Sequence, residues 1–361
     1  MTRPRTLFSS ITGITGITRA FVAFCAIASL AASTRAGAQE KLFKGDSVVN
    51  ITITTELTAL LRQRDSLALN KHNGMLSYAG AGGKQVSFPI TLRARGHFRR
   101  QARNCEFPPL WLNWKGKDAK ESIFNGLAKV KITTNCRPGN SEYEQYILQE
   151  YALYKMYNEL SKESFRVRLA RITYKDSLGK EKPITSWAFF IEDISDVGQH
   201  LNMKPDTTQG ALFDDVDAAA LARVSVWEYF IGNTDWSLSA LHNIVMLRDS
   251  ATAKLDPVAY DFDWSGAVNT RYSAPDSRLK IRSVTDRLYR GPCLNAAQLK
   301  PTLDAFLAKK DVIDGWLSKI PSLSPDKSKS MLKWNADFWK IAANPKAAEK
   351  EFRYGCQKPG N

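Results

Sequence analysis

Two short segments decide how this chain is read: Gly232-Asn233-Thr234-Asp235-Trp236, running on to His242-Asn243, and Pro257-Val258-Ala259-Tyr260-Asp261-Phe262-Asp263-Trp264. Residues 217–231 before them read as a helix, opened by acids and closed by Gly232-Asn233. Residues 244–248 and 257–262 read as the two strands of a hairpin. The order puts Asp235, Asn243 and Asp261 or Asp263 at one end of that hairpin. Asp263 lies two residues beyond Asp261, on the same side if the strand continues. A carboxylate, an amide and a second carboxylate gathered there can hold a divalent metal on a nucleotide and accept a proton from an attacking hydroxyl. Asn, Asp and Gly also cluster in turns for conformational reasons alone. The upstream chain therefore has to discriminate between the two readings.

Working outward, residues 46–55 alternate with period two, as do 86–95, and 108–114, 127–133, 166–174 and 185–191 also read as strands. Gly80-Ala81-Gly82-Gly83 is a turn, and 57–69 is a short amphipathic segment. Residues 142–160 form the first convincing helix, with Ile147, Tyr151, Tyr154 and Asn158 on one side and Ser141 as the N-cap. Residues 39–195 thus read as a mainly antiparallel sheet with one major helix. Beyond them, 196–361 read as helix-rich, with helices at 296–310, 311–318 and 326–352 and the hairpin region 232–264 inside.

Lys131 lies in a β-type strand, Val130-Lys131-Ile132-Thr133, with Lys129 as its rival on the same face. Glu150 falls inward on the following helix, between Ile147 and Tyr154. A strand lysine paired with a helix glutamate can hold nucleotide phosphates. In Arg93-Ala94-Arg95-Gly96-His97-Phe98-Arg99-Arg100, a glycine at a strand end between arginines can approach and neutralise phosphate.

Arg95-Gly96, the Lys131 strand, the Glu150 helix, Asn233-Thr234-Asp235-Trp236…Asn243 and Tyr260-Asp261-Phe262-Asp263 occur in the order of the spore-coat protein kinase CotH-like family. The chain resembles that family over residues 88–270. The resemblance implies an α+β, two-lobed, protein-kinase-like fold, with a sheet-rich N-lobe holding one major helix and a helix-rich C-lobe. It implies ATP-dependent phosphorylation of protein hydroxyls with Mg²⁺ or Mn²⁺. Carried over, Asp235 resembles the catalytic aspartate, with Lys131 and Glu150 as the strand–helix ion pair. Asn243 and Asp261, with Asp263 as the alternative, resemble the metal ligands. Arg95, Gly96, Lys129 and Glu192 are expected around the nucleotide, with residues 188–193 as a hinge offering backbone groups to an adenine. Two departures are visible. The Arg-Gly motif continues with His97, and seven residues, Trp236 to His242, separate Asp235 from Asn243.

The N-terminus reads as a secretory signal over residues 1–38: early arginines, an apolar run at 20–32 and the small-x-small pattern Ala36-Gly37-Ala38. The expected location is therefore periplasmic or extracellular, with no membrane span left after cleavage. Losing Arg3, Arg5, Arg19 and Arg35 with that segment lowers the formal charge from +15 to +11. Such a surface attracts anionic partners, here an exported protein or an anionic envelope substrate met by a monomer. The cations are dispersed, without a basic helix or RNA-binding aromatic signature, so nucleic acid is not the expected partner. Cys105, Cys136, Cys293 and Cys356 remain, an even count that favours disulfides. Of three possible pairings, Cys105–Cys136 and Cys293–Cys356 keep one bridge in each half. The rival function is a catalytically silent, secreted envelope or binding protein. Nine Trp and the basic charge also suit a polysaccharide-binding protein.

Overall fold

Seven strands form a closed barrel: β1 (Val49–Thr55), β2 (His72–Ala79), β3 (Gln85–Ala94), β4 (Leu110–Asn113), β5 (Lys129–Thr134), β6 (Val167–Asp176) and β7 (Ile184–Ile191). Their spatial order is β1-β2-β3-β4-β5-β7-β6. Neighbours are antiparallel except where β1 meets β6. There Val49 pairs with Ala170 and Thr55 with Asp176 in parallel register, which closes the sheet on itself. This computed structural model describes residues 41–64, 70–354 and 356. The secretory signal expected over 1–38 lies outside the described residues, as does the 65–69 end of the amphipathic segment.

Period-two alternation explains the barrel filling. Ile51, Ile53, Phe88, Ile90, Leu92, Leu112, Val130, Ile132, Ile172 and Phe190 meet inside, closed off by Leu57 of the short helix α1 (Leu57–Gln63), Phe107 and Phe124. Outward-facing Val167, Leu169, Phe189 and Ile191 join a second core. That core centres on α2 (Ser141–Leu160), which is buried on nearly every side from Tyr143 to Tyr157. Asn140, not Ser141, caps this helix. Its side chain accepts from the N–H groups of Glu142 and Tyr143.

The chain continues through α3 (Ile194–Leu201), β8 (Met203–Asp206), α4 (Ala218–Ile231), β9 (Ile244–Asp249) and β10 (Leu255–Ala259). The last three strands make a small antiparallel sheet in the order β10-β9-β8. Asp217 caps α4, and Gly232 ends it with φ of 69°. A Cβ on Gly232 would sit 2.5 Å from Trp334, so both the left-handed turn and the close indole require glycine here. Among the described residues, helices α5 (Ala296–Ala308), α6 (Lys310–Lys319), α7 (Pro325–Ala342) and α8 (Pro345–Glu349) follow, and a π-helical turn, Lys350–Tyr354, comes after them.

The two-lobed, kinase-like architecture with a helix-rich C-lobe is not what the chain adopts. Its dominant feature is the closed seven-stranded mixed barrel, to which a few helices are added. The overturning interaction is the β1–β6 pairing, which joins strands more than 100 residues apart and leaves the seven-stranded sheet without a free edge. Single strands read by alternation carry no information about which distant strand they pair with. α2 also packs against β6 and β7 on one side and α6 on the other, so one apolar core runs from Cys105 to Phe352. The described residues from 41 onward accordingly cluster as one compact unit.

Cys105–Cys136 and Cys293–Cys356 are disulfides, the pairing expected from sequence. No helix among the described residues is long and apolar enough to cross a membrane.

Candidate functional site

The site grows from the chain's exit from β10. Asp261 takes a left-handed conformation, φ 65°, which aspartate tolerates better than most residues. Its N–H donates to the Tyr154 hydroxyl at 2.8 Å. A short 3₁₀ turn, Phe262–Trp264, follows, and Phe262 packs its ring 4.6 Å from that of Tyr154. Anchored this way, the turn folds Asp263 back beside Asp261. Glu150 reaches the same point from α2, and one carboxylate oxygen from each of the three lies within 4.8 Å of the others.

Arg99, from the turn after β3, enters this cluster. Its Nη1 is 3.1 Å from Asp263 Oδ2 and 3.7 Å from Glu150 Oε2, with all three side chains buried. Its Nη2 donates to the Thr134 carbonyl, and the Tyr272 hydroxyl donates to Asp263 at 2.8 Å. Neither carboxylate oxygen of fully buried Glu150 has a hydrogen-bond partner. Burial raises the Glu150 pKa well above the usual range, and Asp263 adds to the rise. Asp263 is pushed up to about 6 by burial and by neighbouring Asp261. Burial opposes the charge on Arg99, but Tyr272, Asp263 and Glu150 outweigh it and raise its pKa.

These shifts give the cluster a pH signature. Protons bind Glu150 and Asp263 more tightly in the folded protein than in the unfolded chain, so their contribution to stability falls as pH rises from ordinary carboxylate values through about 6. The metal-free protein is expected to lose about 3–6 °C of melting temperature between pH 5 and pH 7. Calorimetry on the wild type and on Asp263→Asn checks this, the variant giving the flatter profile.

The second group lies on the loop after α4. Asn233, fully buried, accepts the Asp235 N–H at 2.9 Å. The seven residues between Asp235 and Asn243 do not separate them. Ser237 and His242 exchange backbone hydrogen bonds of 2.9 and 3.0 Å and fold the loop on itself. The Asn243 amide then donates to the Asp235 carbonyl at 2.6 Å and to its Oδ2 at 3.1 Å. His242 Nε2 lies 3.0 Å from Asp235 Oδ1, and this bond raises the imidazole pKa, with Asp261 near enough to add to it. Arg290 donates to the carbonyls of Thr234 and Trp236. Asp235 and His242 line a cleft of about 880 Å³.

The remaining candidates divide. Lys131 and Glu150 form no ion pair among the described residues, because Arg99 takes the place beside Glu150. Lys131 instead sits in an aromatic cage, its Nζ 5.2–5.4 Å from the ring centres of Phe165, Trp111 and Tyr260. Burial lowers its pKa to about 8, with Arg95 adding to the drop while Asp193 and Asp261 oppose it. Lys129 pairs with Asp193 at 3.2 Å. Arg95 is half-buried and donates to Thr133 at 3.3 Å; desolvation lowers its pKa, and nearby Asp261 resists the drop. Gly96, φ 81°, is the turn that leads from Arg95 toward Arg99. Glu192 is not with this group. It is fully buried, held by Arg166 Nε at 2.9 Å and approached by His200 at 3.5 Å. Residues 188–191 are likewise committed, since β7 pairs with β5 on one side and β6 on the other. That region is barrel wall rather than a hinge.

Sequence reading missed Arg99, Tyr154, Tyr272 and Arg290 as site residues. Arg99 was signalled only by the arginine-rich run after Gly96, and Tyr154 by sharing a helix face with Glu150. Nothing local marks Tyr272 or Arg290. No protein-family model matches the chain, and a search of the curated proteins finds no match.

Proposed function

We propose that this protein is an exported, metal- and ATP-dependent phosphotransferase acting on protein hydroxyls, with a resemblance to the CotH-like kinases in the order of its polar residues. The observation that carries the reading is the cluster of Glu150, Asp261 and Asp263 beside Arg95, Arg99 and Lys131. Three carboxylates form an oxygen set of the kind hard divalent cations prefer, the orphaned oxygens of Glu150 fit such a ligand, and Asn243 would add a neutral oxygen from the neighbouring loop. Mg²⁺ or Mn²⁺ there would neutralise charge on transferring phosphate. Arg95 and Lys131 would face the phosphates. Asp235 would orient the acceptor hydroxyl and receive its proton as the oxygen–Pγ bond forms, the bond from Pγ to the bridging oxygen breaks and ADP leaves. The disulfides support an oxidising, exported setting.

The rival reading, a silent secreted binding protein, draws support from Arg99, which already occupies part of the acid cluster. One experiment separates the two. Saturating Mn²⁺ with ATP is expected to raise the melting temperature of the chain from residue 39 onward. Ligand at 100-fold its Kd stabilises by about 2.7 kcal/mol. Asp261→Asn is expected to abolish that gain while keeping the left-handed turn, which asparagine also tolerates. Equal stabilisation of wild type and variant, or none of either, would rule out the metal–nucleotide site.

A further inference from the structure

Arg99 is fixed in the acid cluster from several directions. It follows the Gly96 turn, and Asn104 ties that segment by donating to the Phe98 carbonyl at 2.9 Å. The Phe98 ring lies edge-on to Trp264 at 5.2 Å, on the 3₁₀ turn that carries Asp263. The Cys105–Cys136 disulfide staples the end of the segment to the chain two residues past Thr134, whose carbonyl accepts from Arg99 Nη2 at 3.2 Å. With Nη1 on Asp263 and Glu150, the guanidinium is held at three points. It is charged at any working pH. A cation anchored in this way is part of the site, not a side chain that drifts into it.

Its position bears on how many metal ions fit. Two-metal sites set their ions about 3.5–4 Å apart. Carboxylate oxygens from Glu150, Asp261 and Asp263 that all lie within 4.8 Å of one another could bridge such a pair. Arg99 takes one of the two places. Its Nη1 stands 3.1 Å from Asp263 Oδ2 and 3.7 Å from Glu150 Oε2, and the Tyr272 hydroxyl donates to the same Asp263 oxygen. Asp261, half-buried and in no ion pair among the described residues, is left to face an incoming ion. Charge agrees with this count. Three ionised carboxylates against one guanidinium leave two negative charges, which one divalent ion cancels. A second ion would leave the buried cluster positive, and uncompensated buried charge is costly.

We propose that Arg99 is a built-in second cation of this site, so that the carboxylate cluster accepts one divalent ion and not two. The inference rests on the metal-dependent reading above, and its test tells the two apart.

The test counts bound Mn²⁺ from the electron paramagnetic resonance signal of the free ion. It uses the chain from residue 39 onward, alone and with one equivalent of a nonhydrolysable ATP analogue. The wild type is expected to take up one tight Mn²⁺ per chain in both cases. R99Q, which removes the guanidinium, is expected to take up two without nucleotide, and R99K, which keeps a cation, one. Saturating Mn²⁺ is also expected to raise the melting temperature of R99Q by at least about 5 °C more than that of the wild type, because metal then supplies the missing charge. Two tight Mn²⁺ on the wild type would overturn the proposal and leave the metal site standing. One ion on folded R99Q would overturn it as well. No Mn²⁺ on the wild type would remove the metal reading and the proposal together. The wild-type count decides even if R99Q does not fold.

Discussion

Arg99→Leu is expected to destabilise the protein by about 3–5 kcal/mol, read as the midpoint of urea unfolding at pH 8. The guanidinium is the charge nearest to Glu150 and Asp263, both buried, and it also fills a hydrogen bond to the Thr134 carbonyl. Removing it leaves carboxylates in the core without their cation, which costs far more than the pair itself contributes. The same substitution made together with Glu150→Gln is expected to recover part of the loss. The loss is also expected to be smaller at pH 5, where protonation of Asp263, with its pKa near 6, relieves the repulsion. A penalty below about 1 kcal/mol at pH 8 would mean that water or local rearrangement already compensates the cluster.

Asp235→Asn is expected to lower phosphate transfer by about 10²–10⁴-fold, the usual weight of general acid–base catalysis, with the melting temperature little changed. The amide can keep the bond to His242 and accept from Asn243, so the loop geometry survives. What it loses is the ability to take a proton. Transfer to a serine peptide, followed with labelled ATP, reads the effect directly. Undiminished transfer in this variant would remove Asp235 from the chemistry and leave His242 as the base within reach.

Much of the local structure was legible because it is written in short-range physics. Alternation located β1, β3 and β5 within a few residues, and β4, β6 and β7 were also read as strands close to their observed places. The acids before α4 and Gly232 after it marked both ends of that helix. β2 was missed because His72-Asn73-Gly74 opens it with turn-forming residues, and its place is given by pairing with β1 and β3 on either side. The Lys131–Glu150 pairing failed for a different reason. Its partners were chosen by strand-then-helix order, whereas Arg99 arrives from a turn whose path depends on Gly96 and the barrel wall.

The sequence by itself marked most of the barrel strands and the long helices, favoured the cysteine pairing that forms, and put Asp235, Asn243, Asp261 and Asp263 around one hairpin. Those properties depend on residue type and spacing along a few turns of chain. Only the tertiary structure decided that the sheet closes through β1 and β6, that Arg99 rather than Lys131 accompanies Glu150, and that Lys131 stands among aromatic rings. It also decided that the long loop after Asp235 folds on itself to return Asn243 to the carboxylate. Each of these joins residues distant in sequence or set by a turn's exact path, where burial and electrostatics in the assembled core choose the partner and local propensity does not.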